Sequence, residues 1–435
     1  MVTMHVMIIG GGTGGMCLAH GLKRAGVSVA VYERYGSRHD GLYGYRVGID
    51  PTGNRALKAC LPPDLFDTFV ATCARTPRHL NILTQNMRST ASFELRDDSD
   101  DVDSERSVSR ATLRQVLFSG VDDIVHYGKV FTRYEQNPDG TVTAFFADGT
   151  TATGDVLVAA DGTRSAVRRQ FLPDAEVIDT GVTAIATKTA LTPETRALLT
   201  GKVLNGLSLI FGTGGMVGML HVMEFRAGEH NAGDYINLSI WSSHEHFPAG
   251  TEKQRGAELI ATALRATGNW HPNLRKLFEL SDPGAAFAMR IATSSPVIPW
   301  PATNITLLGD AIHTMTPGQG VGANTALRDA ALLCHELTAA ARGEKTLLKA
   351  VGDYEAEMLP YGTARVAESL TNNGTSGKDP LYNPVTGRLA LFAARTYFSL
   401  TDKVPALRRK FLDGMYAYRG TDSVLEAATA GAERV

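Results

Sequence analysis

The apolar run Val6-Met7-Ile8-Ile9, followed at once by Gly10-x-Gly12-x-x-Gly15, constrains this chain more than any other stretch. A short apolar run without alternation reads as a buried parallel strand, and the glycines permit a tight turn with close backbone approach to a phosphate. Met16 to Ala25 reads as a helix. Its N-terminus, with unpaired N–H groups and the positive end of the macrodipole, then faces the turn and favours an anion. Val27 to Val31 reads as a second strand, and it leads to Glu33, 18 positions after Gly15, where a carboxylate can accept from a ribose hydroxyl. This β-α-β-acid unit predicts a dinucleotide site contacted by Gly10, Gly12, Thr13, Gly14, Gly15 and Glu33. A Gly-rich turn in some other α/β protein is the alternative. Glu33 argues against a 2′-phosphate at the site, and the adjoining Arg34 weakens that argument.

Length and charge narrow the class. At 435 residues with 43% hydrophobic side chains, the chain exceeds one ordinary core, so two domains are expected. Lys and Arg number 43 against 45 Asp and Glu, a net charge of −2. That balance predicts no broad pull on nucleic acid or anionic membrane and favours a small-molecule substrate. The acidic run Asp97 to Glu105 reads as a solvated loop, since no glycine-centred calcium loop accompanies it. Cys17, Cys60, Cys73 and Cys334 form no C-x-x-C pair, and Cys17 and Cys334 read as small buried thiols. The first strand begins without a leader pattern, and nowhere do about 18 apolar residues run uninterrupted, so a cytoplasmic protein without a membrane span is expected.

The nucleotide-binding pattern stops and later resumes. Val182 to Ala190, Leu207 to Phe211, Gly218 to Phe225 and Tyr235 to Trp241 have strand character, a helical stretch spans Gly256 to Leu280, and Ala285 to Ala292 reads as another strand. Ile305 to Leu308 returns as a parallel-type strand, and Gly322 to Ala341 as a helix that Gly343 can end, with Pro360 a kink in the helical remainder. The expected fold class is α/β: a Rossmann-like domain with a parallel sheet at 1–175 and 294–375, a smaller β-rich substrate domain at 176–293, and C-terminal helices at 376–435. The glycines of Gly212 to Gly218 precede a strand rather than a helix, so they read as a hairpin turn and not as a second phosphate site.

Three segments together carry a family resemblance: the first glycine motif with Glu33; Val158 to Arg168, containing Asp161-Gly162 with Ser165 and Arg168; and Gly309-Asp310-Ala311-Ile312-His313 through Pro317, Gly320, Gly322, Asn324 and Asp329. Over about residues 5 to 375 the chain resembles the single-component FAD-dependent aromatic hydroxylases of the para-hydroxybenzoate hydroxylase fold, with salicylate hydroxylases and tetracycline-modifying enzymes as relatives. The resemblance implies non-covalently bound FAD and a transient NADPH or NADH. It associates Asp161 with both nucleotides, although by itself Asp161 is an ordinary strand-to-turn residue. It places Asp310 against the ribitol and pyrophosphate, Arg110 against FAD, Val130 near adenine, and Arg46 near the isoalloxazine. Gly320, Val321 and Gly322 form the helix entry under the flavin's pyrimidine edge, where N–H groups can stabilise negative charge. Pro317 either lies beside the flavin where oxygen reacts or simply starts the loop before the helix, and His313 reads as a packed structural histidine.

The activity implied is transfer of one oxygen from O2, through a flavin C4a-hydroperoxide, to an electron-rich aromatic or polyketide-like molecule. Arg46 and Pro317 are the candidate catalytic residues. No base is assignable, and His221 and Trp241 are candidate pocket residues in the middle block. Epoxidation of an alkene, or a pocket for cyclisation that keeps FAD without redox turnover, are the alternatives. Trp241, Trp270 and Trp300 are isolated, so the paired-tryptophan signature of flavin halogenases is missing. About 60 residues after the FAD region leave no room for the thioredoxin-like domain of phenol-hydroxylase relatives. A monomer or homodimer is expected.

Overall fold

A computed structural model describes residues 4–41, 44–96, 103–226, 233–370, 379–383 and 385–420. The expected solvated loop at Asp97 to Glu105 lies mostly outside these residues. A five-stranded parallel sheet, in the order Ile305–Leu307, Val156–Ala159, His5–Ile9, Ser28–Tyr32 and Val125–His126, forms the first layer. Val6, Met7, Ile8 and Val156 to Ala159 are fully enclosed. The lack of alternation in the sequence follows from this, because helices such as Thr13–Arg24 cover the faces of a parallel sheet. All strands of a parallel sheet end at one edge. Gly10, Glu33, Asp161 and Gly309 follow within two residues the strands ending at Ile9, Tyr32, Ala159 and Leu307, so residues hundreds of positions apart arrive at one crevice.

A seven-stranded sheet runs in the order Phe287–Ser294, Val177–Ala190, Tyr235–Ser243, Val217–Met223, Gly206–Phe211, His79–Thr84 and Ser89–Glu94. Its alternation is strict where it matters. Ile210, Leu220, Val222, Ile236, Leu238 and Ile240 pack against the helices Gly256–Ala266 and Pro272–Glu279, leaving Leu207, Leu209 and Met219 on the opposite face. Two of its strands come from residues 79–94, outside the 176–293 block. His79–Thr84 joins by parallel pairing with Gly206–Phe211, a choice of sheet that no local sequence pattern encodes. Thr213–Gly215 closes the antiparallel hairpin between Gly206–Phe211 and Val217–Met223, with no helix following.

Pro360 lies inside the Leu347–Ser369 helix without ending it. The C-terminal helices Gly387–Lys403 and Pro405–Gly420 dock on the seven-stranded sheet: Arg395 donates to Phe211 O (2.8 Å) and Gln85 Oε1 (3.0 Å), and Arg408 to Ser92 O (3.1 Å). All four cysteines are free thiols, and no described helix is long and apolar enough to cross a membrane.

Beneath the site, Thr306 donates to Glu355 Oε1 (2.8 Å). Burial pushes the Glu355 carboxyl up to about 7, against the hydrogen bond from Thr306. A carboxyl raised in the fold stabilises it below its ordinary value near 4.5, and that contribution is lost as pH rises through about 7. At roughly 1.4 kcal/mol per pKa unit, the ionised side chain costs on the order of 3 kcal/mol. Glu355→Gln is therefore expected to melt higher than the parent at pH 8 and together with it at pH 5 in thermal scans; equal melting at both would refute the assignment.

Candidate functional site

The glycines of the first turn serve different ends. Gly10 has φ +107°, and a Cβ there would lie 2.4 Å from Ala160 O. A Cβ on Gly15 would lie 2.4 Å from Gly10 O, and one on Gly14 would lie 2.8 Å from Ala326 O in the Gly322–Ala341 helix. Close backbone packing thus demands glycine at 10, 14 and 15. At Gly12 the nearest atom to such a Cβ is 3.7 Å away, ordinary contact, so the fold alone does not require glycine there. Gly12 caps the Thr13–Arg24 helix without a side-chain hydrogen bond, no acidic residue sits in the first turn, and Gly12 and Thr13 line a large cavity.

Glu33 is buried beside this turn. Its Oε2 accepts from Gly11 N (2.9 Å) and its Oε1 from Tyr35 N (3.0 Å). Arg114 lies 3.6 Å from Oε2 and donates to Gly11 O (2.8 Å) and Arg38 O (2.9 Å). Sequence reasoning missed Arg114. Its i, i+4 spacing from Arg110 on the Arg110–Leu117 helix, which turns both guanidiniums to one face, was the available signal. A carboxylate offers about four acceptor directions, so Glu33 retains capacity toward the cavity it lines.

Asp161 caps a short helix: its Oδ2 accepts from Ala166 N (2.7 Å). Burial raises its carboxyl, opposed by hydrogen bonds from Ser165 and Ala166 N. Ser165 Oγ accepts from Arg168 N (2.9 Å), and the Arg168 guanidinium donates to Thr163 O (3.0 Å) and Ala311 O (2.8 Å). Ser165 and Arg168 do not line the cavity; Arg168 ties the Asp161-Gly162 turn to the Gly309 turn.

That second turn hangs on Asp329, which is 0% exposed. Its Oδ2 accepts from Gly309 N (2.7 Å) and pairs with His313 Nε2 (2.6 Å), while its Oδ1 accepts from the Tyr361 hydroxyl. Burial lowers His313, but the Asp329 charge and hydrogen bond outweigh it and hold the imidazole above its ordinary value. His313 is an anchor of the turn, not a cavity residue. Tyr361 carries no motif in the sequence. With the turn fixed, Asp310 opens onto the cavity deep in the molecule: burial raises its carboxyl, and the His313 and Arg110 charges pull it back. Burial lowers Arg110 in turn, and Asp310 opposes that.

Pro317 begins a single turn, Gly320 takes φ +67°, and the Gly322–Ala341 helix starts with no side-chain cap and no acid in its first turn. Asn324 turns away to accept from Asp50 N (3.0 Å) and donate to Gly48 O (2.9 Å). Pro317, Gly320 and Gly322 line the cavity, whereas the Val321 side chain is buried with Met315 and Val366. Arg34, Arg46 and Val130 also line it, Arg46 donating to Ser107 Oγ (3.0 Å).

The cavity encloses about 1450 Å³. Ligand clefts commonly span roughly 300–1,000 Å³, so this one has room for a dinucleotide and a second molecule. One end holds two uncapped helix N-termini with Glu33, Arg110 and Asp310. The other is apolar, walled by Leu80, Ile82, Leu207 and Met219 of the large sheet and by Phe398 and Phe411 of the C-terminal helices. His221 and Trp241 do not line it. Trp241 packs with Val217 in the core, and His221 is 1% exposed, its imidazole held neutral by burial and by the nearby Arg46 charge.

A parallel α/β layer whose strand ends, glycine turn and second helix N-terminus converge on such a cavity defines a dinucleotide-binding protein with an adjoining apolar chamber. Residues 125–369 match the FAD binding domain family model, and the chain belongs to that family. It is 32% identical over 91% of its length to the dual O-methyltransferase/FAD-dependent monooxygenase elcB of Phaeosphaeria nodorum, of which it spans 47%, about half. It is 29% identical, over 81% of this chain and 85% of the relative, to an FAD-dependent urate hydroxylase of Klebsiella pneumoniae. A crystal structure from Photorhabdus luminescens subsp. laumondii TTO1, determined as a candidate FAD-containing monooxygenase, superposes with a TM-score of 0.75 at 33% identity, covering 84% of this chain and 96% of that one.

Proposed function

We propose that this chain is an FAD-dependent monooxygenase that uses NADPH or NADH and O2 to hydroxylate an electron-rich aromatic or polyketide-like small molecule. The observation that carries the reading is the single cavity joining two uncapped helix N-termini to an apolar chamber. Gly12 and Thr13 would receive the pyrophosphate at one N-terminus, Glu33 would accept from the ribose, and Arg34 and Val130 would hold the adenine end. Arg110 and Asp310 would hold the pyrophosphate and ribitol, an ionised Asp310 accepting hydrogen bonds from the ribitol hydroxyls. Gly320 to Gly322 would offer N–H groups to the flavin, and Arg46 and Pro317, which line the same cavity, would act on its reactive side. Asp161 acts through the turn it caps.

When bound, FAD supplies acceptance of hydride from NAD(P)H and activation of dioxygen. The protein supplies the rest. The apolar sheet face and the two C-terminal helices exclude water and orient the substrate ring, and the uncapped N-terminus of the Gly322–Ala341 helix stabilises negative charge without reorganisation. Names of relatives that include a urate hydroxylase support an aromatic substrate.

The purified protein should be yellow. Aromatic and polyketide-like compounds are screened for stimulated NADPH oxidation, with hydrogen peroxide measured alongside and products analysed under isotopically heavy O2. One heavy oxygen in the product is expected, and a product of unchanged mass with a true substrate sinks the reading. Asp310→Ala removes a charged acceptor worth about 1.5–3 kcal/mol, so FAD binding should weaken about 10- to 150-fold and the variant should purify nearly colourless. Full flavin occupancy would refute its role.

A further inference from the structure

The C-terminal helix pair has an outer face that the cavity does not explain. On the Gly387–Lys403 helix, Leu389, Phe392, Ala393, Thr396 and Leu400 follow the i, i+3, i+4, i+7, i+11 spacing of one face, and all five are exposed. Leu389 is 69%, Phe392 67% and Leu400 51% exposed. Large apolar side chains gathered on one outer stripe mark an interaction surface, whereas single ones scattered over a protein do not.

Charge indicates what covers the stripe. Residues 385–420 hold seven Lys and Arg against two Asp, in a chain whose net charge is −2. The other residues hold 36 Lys and Arg against 43 Asp and Glu, so this segment carries a basic excess that the rest of the chain lacks. Arg395 and Arg408 point inward to the sheet, and the helix's one acid, Asp402, also turns inward to accept from Ser92 N (3.4 Å). Arg388 and Lys403 flank the stripe, both exposed and neither hydrogen-bonded nor ion-paired among the described residues. A symmetric dimer through this face would bring the like cations of two copies together, which disfavours a second copy. An apolar stripe edged by free cations instead fits the boundary of a bilayer with anionic headgroups, where the apolar side chains enter the acyl region and the cations meet phosphate.

The face is continuous with the mouth of the cavity. Tyr397 and Leu407 line the cavity and are also exposed, and Tyr397 follows Ala393 by one helical turn on the same helix. We propose that the outer face of the Gly387–Lys403 helix docks the FAD-loaded protein on an anionic lipid surface, with the cavity mouth turned toward the bilayer, so that an apolar substrate enters from the membrane boundary. The even overall charge hid this, because the acidic remainder masks a local basic excess.

Sedimentation of the full FAD-loaded chain with vesicles tests the proposal. Vesicles of equal phosphatidylglycerol and phosphatidylcholine should carry most of the protein down at low salt; vesicles of phosphatidylcholine alone should carry less, and high salt should release it. The double variant Leu389→Glu with Phe392→Glu should bind about tenfold more weakly or worse, with flavin absorbance and melting temperature unchanged because both positions are exposed. Arg388→Glu with Lys403→Glu should weaken binding to the anionic vesicles alone. Failure to sediment with anionic vesicles at low salt overturns the proposal, as does binding that the Leu389 and Phe392 changes leave intact. Self-association in sedimentation velocity that Phe392→Glu abolishes would assign the face to a second copy and also overturn it. None of these readouts depends on turnover, so their failure is separable from failure of the proposed reaction.

Discussion

Gly10→Ala is expected to yield a destabilised protein that retains almost no flavin. The backbone at Gly10 has φ +107°, and the added Cβ would meet Ala160 O at 2.4 Å and Asp161 Cα at 2.8 Å, both main-chain atoms that cannot swing aside. Backbone strain of about 1–3 kcal/mol and overpacking of a further 1–3 kcal/mol both apply. Their sum is a large share of the roughly 5–15 kcal/mol that holds a domain together. Two controls isolate the cause. Gly120→Ala has the same sign of φ, +72°, but no atom within 4 Å of the new Cβ, so it should cost only the strain. Gly12→Ala meets nothing closer than 3.7 Å and should leave the stability of the flavin-free protein within about 1 kcal/mol while lowering FAD occupancy. Urea unfolding of each variant, with flavin content read by absorbance, checks all three. A Gly10→Ala protein as stable as the Gly12→Ala protein would show that the strand crossing at Ala160 yields more readily than its geometry implies.

Asp329→Asn should be comparably damaging from a residue that does not line the cavity. The carboxylate serves Gly309 N, His313 and the Tyr361 hydroxyl at once, with no access to water. Removing one partner of a buried ion pair leaves the other uncompensated and costs about 3–5 kcal/mol. The Gly309-Asp310 turn loses its anchor with it, so flavin affinity should fall although no cavity-lining side chain has changed.

The pH dependence separates this from a general loss of packing. In the parent, His313 is held above its ordinary 6.5, so its contribution to stability is complete below that value and is lost as pH rises through the raised one. Without the Asp329 charge, burial dominates and lowers His313. The variant's histidine contribution should then be present above pH 6.5 and fade as pH falls. Stability measured across this range should diverge most at acid pH. A constant difference at every pH would mean that His313 stays neutral in both proteins.

Much of the site was legible because its parts are local. An apolar strand, a glycine turn and an uncapped helix start lie within a dozen residues of one another, so the Gly10 to Gly15 turn could be read from residue type, whereas Gly320 to Gly322 entered through the family resemblance and the helix that follows them. The Gly322–Ala341 helix has the bounds its pattern predicts, for the same reason. Glu33 was found by its fixed offset from the turn, but its partner Arg114 was not, since that contact spans 81 positions and no local rule pairs them. His313 reads correctly as structural, yet the Asp329 and Tyr361 hydroxyl contacts that make it so depend on how two helices pack. His221 and Trp241 sit on the right sheet but beneath its surface, and strand periodicity cannot tell a cavity wall from a residue covered by its neighbours.

The chain's sequence determined by itself that a nucleotide crevice would exist and which backbone segments would line it, because turns, helix starts and buried strands are set by interactions among neighbouring residues. Tertiary structure alone decided that strands at 79–94 join the large sheet, that Phe398 and Phe411 close the apolar chamber, and that Asp329 carries the turn holding Asp310. Those outcomes rest on pairings between distant segments. Such pairings are fixed by competition among whole surfaces for burial and by sheet register, and no stretch of sequence encodes either alone.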